Sequence, residues 1–523
     1  MFERGDRWCH GVLHWNRTPS RRSPSRASSP PLRLIRSMSG SLLLFRLLPL
    51  TVGVEILDAT TSAERFMFTL STTTASRSAG LLLLVAAAAC VGCSQIDVPD
   101  RATTAKRAAK AHRDDAAPGS PLSFDGGQLP NNLPMPNPSG TAATFSTAGF
   151  VDLDNEFHIP QGSNGRSCAS CHLVQSGWSI RPSDVERKFL ATQGTDPIFN
   201  PLDADSPTAD VSTPAARFRA YTVLRKGLFR RGGNVPAGAE YEIIAVDDPL
   251  GAGGSLTRFQ AFRRPLATAN FHIARNIGWH DQDGNGSLDV HAGLTSQATG
   301  NITGAQQGNP ATAATIEAIV EYEEGLRFAQ ASALGVGPLT SCGATGGPEN
   351  LSNQSQVAGR FNLFDAWIGL VPGSCTTPAE DEERAQIARG QELFNAVNAN
   401  GRSCNGCHSA QNNGSNVNGT LFDVGASRPQ FRQPGMPLYT VRNKTTLEVR
   451  QTTDPGRALK SGRWADMDRF KVPSLRGLSA RAPYFHNGTA ATLDDVILHY
   501  QQALGFQFTP EQRAALVAFL QAL

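Results

Sequence analysis

The chain has 523 residues, 40% hydrophobic and 18% charged, enough for two or three domains with an ample core. Its formal net charge of +3 is unevenly spread: residues 1–92 hold 11 Lys/Arg and 5 Asp/Glu, a surplus of +6, so the remainder carries 3 − 6 = −3. A slightly acidic body gives no basis for nucleic-acid binding, and no nucleic-acid partner is expected.

Residues 1–66 mix Arg17, Arg21, Arg22, Arg26, Arg33 and Arg36 with Ser and Pro and show no apolar period. They read as a disordered or non-native extension, with translation starting at Met67. Residues 67–93 read as a signal peptide: Arg77 is followed by the run Leu81 to Ala89, which is too short for a permanent membrane span. Its end, Ala89-Cys90-Val91-Gly92-Cys93, resembles a lipoprotein processing site, although Cys90 stands where Leu is usual. The expected location is the periplasm, with membrane anchoring if Cys93 is lipidated. Residues 94–140, rich in Ala, Pro and Asn, read as a linker.

The first distinctive stretch is Gly165-Arg166-Ser167-Cys168-Ala169-Ser170-Cys171-His172, and 236 positions later (404 − 168) the device returns as Gly401-Arg402-Ser403-Cys404-Asn405-Gly406-Cys407-His408. In Cys-x-x-Cys-His, two thiols bond to the vinyl groups of a haem and the adjacent imidazole binds the iron. A zinc site would need four ligands from two short clusters, and a redox thiol pair does not require the His. Two covalently bound haem c groups are therefore expected, on Cys168, Cys171 and His172 and on Cys404, Cys407 and His408. Of the nine cysteines, Cys342 and Cys375 form a leftover pair outside the leader, and a disulfide or two buried thiols are both open to them.

Asp281-Gln282-Asp283-Gly284-Asn285-Gly286-Ser287-Leu288-Asp289 has the first half of a calcium loop, with Asp281, Asp283, Asn285 and Asp289 as oxygen ligands. Position twelve is Ala292 instead of Glu, so a solvated acidic turn is the competing reading. From Thr315 to Gln330, Ile316, Ile319, Val320 and Leu326 share a face and predict a helix that closes a first haem domain over residues 141–335. Residues 336–378 read as a connecting segment. Residues 379–523 read as a cytochrome c domain. Its first helix, Ala379 to Asn395, carries Gly390 where another helix crosses closely. Its last is capped by Thr509, Pro510 and Gln512, with a stripe of Leu516, Phe519, Leu520 and Leu523. The fold class expected is mainly α: two c-type cytochrome domains with long loops and one covalent haem each.

Phe470-Lys471-Val472-Pro473-Ser474-Leu475-Arg476-Gly477 and Ala482-Pro483-Tyr484-Phe485-His486-Asn487-Gly488, with the two haem motifs, resemble the bacterial dihaem cytochrome c peroxidase and MauG family over most of residues 145–523. The resemblance implies a peroxide-reacting N-terminal haem fed with electrons by the C-terminal haem, and a small cytochrome or cupredoxin as donor. It also implies that the second ligand of the His408 iron follows His486 by fourteen positions, which is Tyr500 (486 + 14 = 500); most of the peroxidases have Met there, and MauG has Tyr. The residues alone leave Met467 as the main alternative, with Met436 and His499 behind it. No His lies between His172 and His272, so the His172 iron is expected to be open; His158, His272, His280 and His291 stay as alternatives. Trp279, after Phe262-Arg263-Arg264-Pro265-Leu266, resembles the Trp between the two haems, and Gln297 resembles the distal Gln. The region of the distal Glu reads Gly304-Ala305-Gln306-Gln307, without a carboxylate. The function expected is peroxide reduction. MauG-like oxidation of a protein or organic substrate, or electron transfer without catalysis, are the alternatives.

Overall fold

Short helices and several small sheets share the fold, with 34% of residues helical and 17% in strands, which corrects the mainly α expectation. The computed structural model describes residues 127–281, 289–398 and 400–523, and the backbone of 41–47 and 50–56. The latter form an antiparallel hairpin, Ser41–Leu47 with Leu50–Ile56, in a unit of its own, Met1–Thr103. The leader with Cys93, much of the linker, and Asp283 and Asn285 of the acidic loop lie outside the described residues. Among those described, no helix is long and apolar enough to cross a membrane.

The strands escaped the pattern reading because they are short and pair with distant segments. Gln128–Pro130 and Met135–Asn137 fall inside the stretch read as linker, where Met135 is buried. Gly140–Ser146 pairs with Met135–Asn137 on one side and with Leu326–Ala333 on the other. That last strand replaces the end of the predicted helix: the helix runs Ala313–Gly325, and Leu326 to Gln330 are buried without interruption. A short, fully buried strand and a buried helix cannot be told apart by periodicity alone. Tyr241–Asp247 pairs with Leu438–Asn443, so segments from the two halves of the chain share one three-stranded sheet.

Each Cys-x-x-Cys-His segment sits against its own core. Phe157, Trp178, Leu294, Ile302, Ile319, Val320 and Phe328 pack near Cys168. Near Cys404 the core holds Ile387, Phe394, Leu493, Ile497, Leu516, Phe519 and Leu520, joined by Phe361, Leu363, Phe364 and Trp367 from the segment read as a connector. That segment also carries both ends of the Cys342–Cys375 disulfide, whose Cα atoms are 6.1 Å apart.

The helix Pro378–Asn395 crosses the last helix, Pro510–Gln521, at Gly390. Thr509 caps that last helix through the Gln512 backbone, with Pro510 in its first turn, as its sequence predicts. A Cβ at Gly390 would lie 2.0 Å from the Ala515 carbonyl oxygen and 2.6 Å from Phe519 Cβ. Both are backbone-fixed, so the contact cannot be relieved by a rotamer change. Gly390→Ala should lower stability by about 3 kcal/mol or more, the upper end for overpacking, read as a fall in the denaturant midpoint.

Candidate functional site

The two motif segments are built alike. Cys168–Ser170 and Cys404–Cys407 each form a single helical turn, in which the His172 amide donates to the Cys168 carbonyl and the His408 amide to the Cys404 carbonyl, both at 3.1 Å. That turn brings both sulfurs and the imidazole to one side. The Arg of each Gly-Arg-Ser lead-in ties the turn down. Arg166 is buried and donates to Asp203 at 2.8 Å and to the Pro197 carbonyl, while Arg402 donates to the Leu504 carbonyl.

The histidines repeat a second device. His172 Nδ1 donates to the Trp178 carbonyl at 2.9 Å, and His408 Nδ1 donates to the Gly414 carbonyl. In each case the acceptor lies six residues on, at a residue with left-handed backbone, φ 57° at Trp178 and 73° at Gly414. Glycine adopts this at no steric cost; Trp178 is held in it by complete burial and by its Nε1 donating to Thr144 Oγ1 at 3.0 Å. With Nδ1 protonated and bonded, Nε2 of both rings is left with a lone pair, the arrangement in which a histidine ligates metal. Burial pushes both imidazoles down to about 4, so they are neutral at neutral pH. The four thiols are unpaired, and burial raises them, Cys171 to about 11 and Cys404 to about 12. They are therefore not the low-pKa thiolates of a dithiol redox site.

Each motif opens into its own cavity. The cavity of His408, Cys404 and Cys407 is lined mainly by apolar groups, among them Phe394, Leu475, Leu493, Ile497, Phe506 and Leu516. Tyr500, on the helix Leu493–Leu504, also lines it. Its hydroxyl makes no hydrogen bond to a described residue, and burial followed by Cys404 and Cys407 raises its pKa. The alternatives to Tyr500 lie elsewhere. Met467 packs among Tyr241, Phe259 and Tyr439, Met436 packs with Val223 and Phe262, and His499 Nε2 donates to the Val424 carbonyl at 2.7 Å.

The cavity of His172, Cys168 and Cys171 is more polar, with Arg166, Arg231, Arg263, Arg264 and Lys471 in its walls. Gln297, on the helix Val290–Gly300, lines it, and its side-chain amide bonds to no described residue. Among the four alternative histidines, only His280 lines this cavity. His158 Nε2 is paired with Tyr322 Oη at 2.9 Å, His272 Nε2 with the Leu351 carbonyl at 3.1 Å, and His291 with Glu324 at the surface.

Trp279, Arg264, Pro265, Leu266 and Lys471 line both cavities and so form their common wall. Trp279 is fixed there by Nε1 donating to the Arg264 carbonyl at 2.7 Å and by its own carbonyl accepting from the Lys471 amide at 2.8 Å. The two halves of the long family-like motif meet beside it: Phe470 stacks on His486 at 3.8 Å, and the Trp279 ring is 6.2 Å from His486. Burial lowers Arg264 to about 9 and Lys471 to about 8. Arg264 Nη1 is buried without a partner.

Of the acidic loop, Asp281 pairs with Arg457 at 3.0 Å, and Asp289 caps the following helix through the Ala292 amide at 3.1 Å. No group of acidic, His or Cys side chains able to hold a metal ion occurs among the described residues. Gln306 accepts from the Gln161 amide at 2.9 Å and Gln307 from Asn164, so neither is an acid and only Gln306 reaches the cavity. The cavity does contain a carboxyl group that its own sequence neighbourhood does not supply: Glu323, from the helix Ala313–Gly325. Its signal was present, since 323 continues the buried stripe 316, 319, 320, where an acid is out of place.

No protein-family model matches the chain. It is 34% identical over 131 residues to the cytochrome-c peroxidase IdrP2 of Denitromonas iodatirespirans, a match covering 23% of this chain and 36% of that protein. With the cytochrome c551 peroxidase of Nitrosomonas europaea the identity is 30% over 162 residues, 31% of this chain and 38% of the relative. With IdrP1 of Denitromonas iodatirespirans it is 35% over 168 residues, 27% and 40%. The matches thus span well under half the length of these relatives. A solved structure of a MauG-like protein associated with microbial copper homeostasis is a distant likeness, with 16% identity and a TM-score of 0.30 over 50% of this chain and 73% of that one.

Proposed function

We propose that this relative of the cytochrome c peroxidases carries two c-type haems and reduces hydrogen peroxide at one of them. The observation that carries the reading is the doubled cavity: each has one Cys-x-x-Cys-His turn with a neutral, backbone-anchored imidazole, and Trp279 lies in the shared wall. The residues present fit haem c. Cys168 and Cys171, and Cys404 and Cys407, would form the thioethers, while His172 and His408 would bind iron. Arg264 Nη1, an orphaned buried cation, would be satisfied by a carboxylate of the bound group. Haem iron, once bound, supplies the redox chemistry by which peroxide takes up two electrons and two protons to become water.

The protein's own residues divide the work by the character of their cavities. The polar cavity of His172 suits peroxide: Gln297 presents an uncommitted amide to orient it. The apolar cavity of His408 suits an electron-transfer site closed by a second ligand, and Tyr500 is the side chain positioned for that. Trp279 would pass electrons between the two. A small cytochrome or cupredoxin in the periplasm is the proposed donor. Tyr500, the residue type that MauG carries at this position, favours MauG-like oxidation of a protein or organic substrate as the second reading.

Tyr500→Phe is expected to change the absorption and paramagnetic-resonance spectrum of one haem, whereas Met467→Leu leaves both spectra as they are. The reverse pattern would transfer the ligand role to Met467, and no change in either variant would leave the His408 haem without a side-chain ligand from this pair.

A further inference from the structure

We propose that Glu323 is the proton-exchanging group of the His172 cavity, doing from another helix the acid–base work for which residues 304–307 offer no carboxylate. The proposal rests on the peroxide reading above and deepens it. Three observations carry it. Glu323 is only 1% exposed, yet it lines the same cavity as His172 and Gln297. Its carboxyl makes no hydrogen bond or ion pair with any described residue, and Oε2 is buried without a partner. It also occupies the buried stripe of its helix, after Ile316, Ile319 and Val320, where an apolar side chain would pack at no desolvation cost.

An unpaired carboxyl in such a place is held in its neutral form. Burial, with Glu324 next in importance, raises Glu323 from 4.5 to about 8. The groups around it do not offset this. Cys168 and Tyr322, the other titratable groups that sense Glu323, are both pushed up by burial and carry no charge, and Cys168 has no thiol to titrate once it is a thioether. The cations in the cavity wall are committed elsewhere in part, Arg231 to Asp203 and Arg263 to Asp454, while Arg264 and Lys471 lie in the wall shared with the other cavity. An acid neutral at rest but ionisable near neutral pH is poised for proton transfer.

Cleaving the O–O bond of hydrogen peroxide heterolytically requires one proton to move from the oxygen that stays to the oxygen that leaves. The leaving oxygen then departs as water with the bonding electron pair. The oxygen that stays would become the second water with two electrons from the proposed protein donor, relayed through the bound haems, and two protons from solvent. Glu323, protonated at rest, would give its proton to the leaving oxygen and take back the one released by the oxygen that stays, ending as it began. Gln297, which cannot exchange protons, would orient the substrate.

The test is Glu323→Gln in the full-length, haem-loaded protein, a near-isosteric change expected to keep both haems. The wild type should show a pH-dependent spectral transition of one oxidised haem near about pH 8, absent in the variant. Its reaction with peroxide should slow as pH rises through that transition, and the variant should be slower by about 10²–10⁴-fold with no such pH dependence. Stability gives a readout independent of activity. Folded Glu323 holds its proton up to about 8 while the unfolded chain releases it near 4.5, so wild-type stability should fall across that window relative to the variant. A wild type without the spectral transition, or a variant that keeps the transition and the rate, overturns the proposal. A wild type that titrates but does not react with peroxide sinks the peroxidase reading and leaves the acid assigned.

Discussion

Replacing Cys404 and Cys407 by alanine should leave a folded chain carrying about one covalent haem where the parent carries about two. The expectation follows from the independence of the two cavities. Each motif turn closes its own amide hydrogen bond, each imidazole is anchored by its own carbonyl six residues on, and each packs against a different core. The double replacement removes both thioether positions from the apolar cavity and touches nothing in the wall of the other. The measurement is the intact mass together with the absorbance of the reduced haem after denaturation, which counts covalent haem only. Cys168 and Cys171, replaced in the same way, should remove the other haem, and the two losses should be spectroscopically distinct because one cavity is apolar and the other lined with Arg and Lys. A chain that binds zinc and no haem would end the reading for both sites.

What could be read from the sequence was whatever is set by covalent or strictly local geometry. A Cys-x-x-Cys-His turn is specified by the spacing of its own residues, and so is the cap Thr509, which closes a capping box with Gln512. The close helix crossing at Gly390 was legible because only a missing side chain permits it. The sheets were not, because their partners are remote. Nothing within Tyr241–Asp247 announces Leu438–Asn443, and the run Leu326 to Gln330 looks as apolar as the helix before it. Loop length could not separate Tyr500 from Met467 either. That distinction lies in packing, one side chain bordering the cavity of His408 and the other enclosed by Tyr241 and Tyr439. Glu323 is remote from residues 304–307 along the chain and reaches the same cavity only through the fold.

The fully oxidised protein should react with hydrogen peroxide directly, with no haem reduced beforehand. For one of the candidate histidines to close the His172 site it must reach the cavity and bring a nitrogen with a free lone pair. His158, His272 and His291 do not line the cavity. His280 does, but Arg263 Nη1 donates to its Nδ1 at 2.7 Å. The proton of the neutral ring is therefore on Nε2, which leaves that nitrogen without a lone pair to offer a metal. Reversing the tautomer would break the Arg263 bond, and Arg263 is held in place by a bidentate pair with buried Asp454 at 2.6 and 2.7 Å. Burial, then Arg263, push His280 down to about 3, so it does not become a cation near neutral pH. Mixing oxidised protein with peroxide in a stopped-flow spectrometer should accordingly change the haem spectrum at once, at a rate proportional to peroxide. Silence until one haem is reduced would identify His280 as a displaceable ligand, and His280→Ala should then restore the direct reaction. If the site is open as argued, the same replacement should not accelerate it, because no ligand has to leave before peroxide can enter.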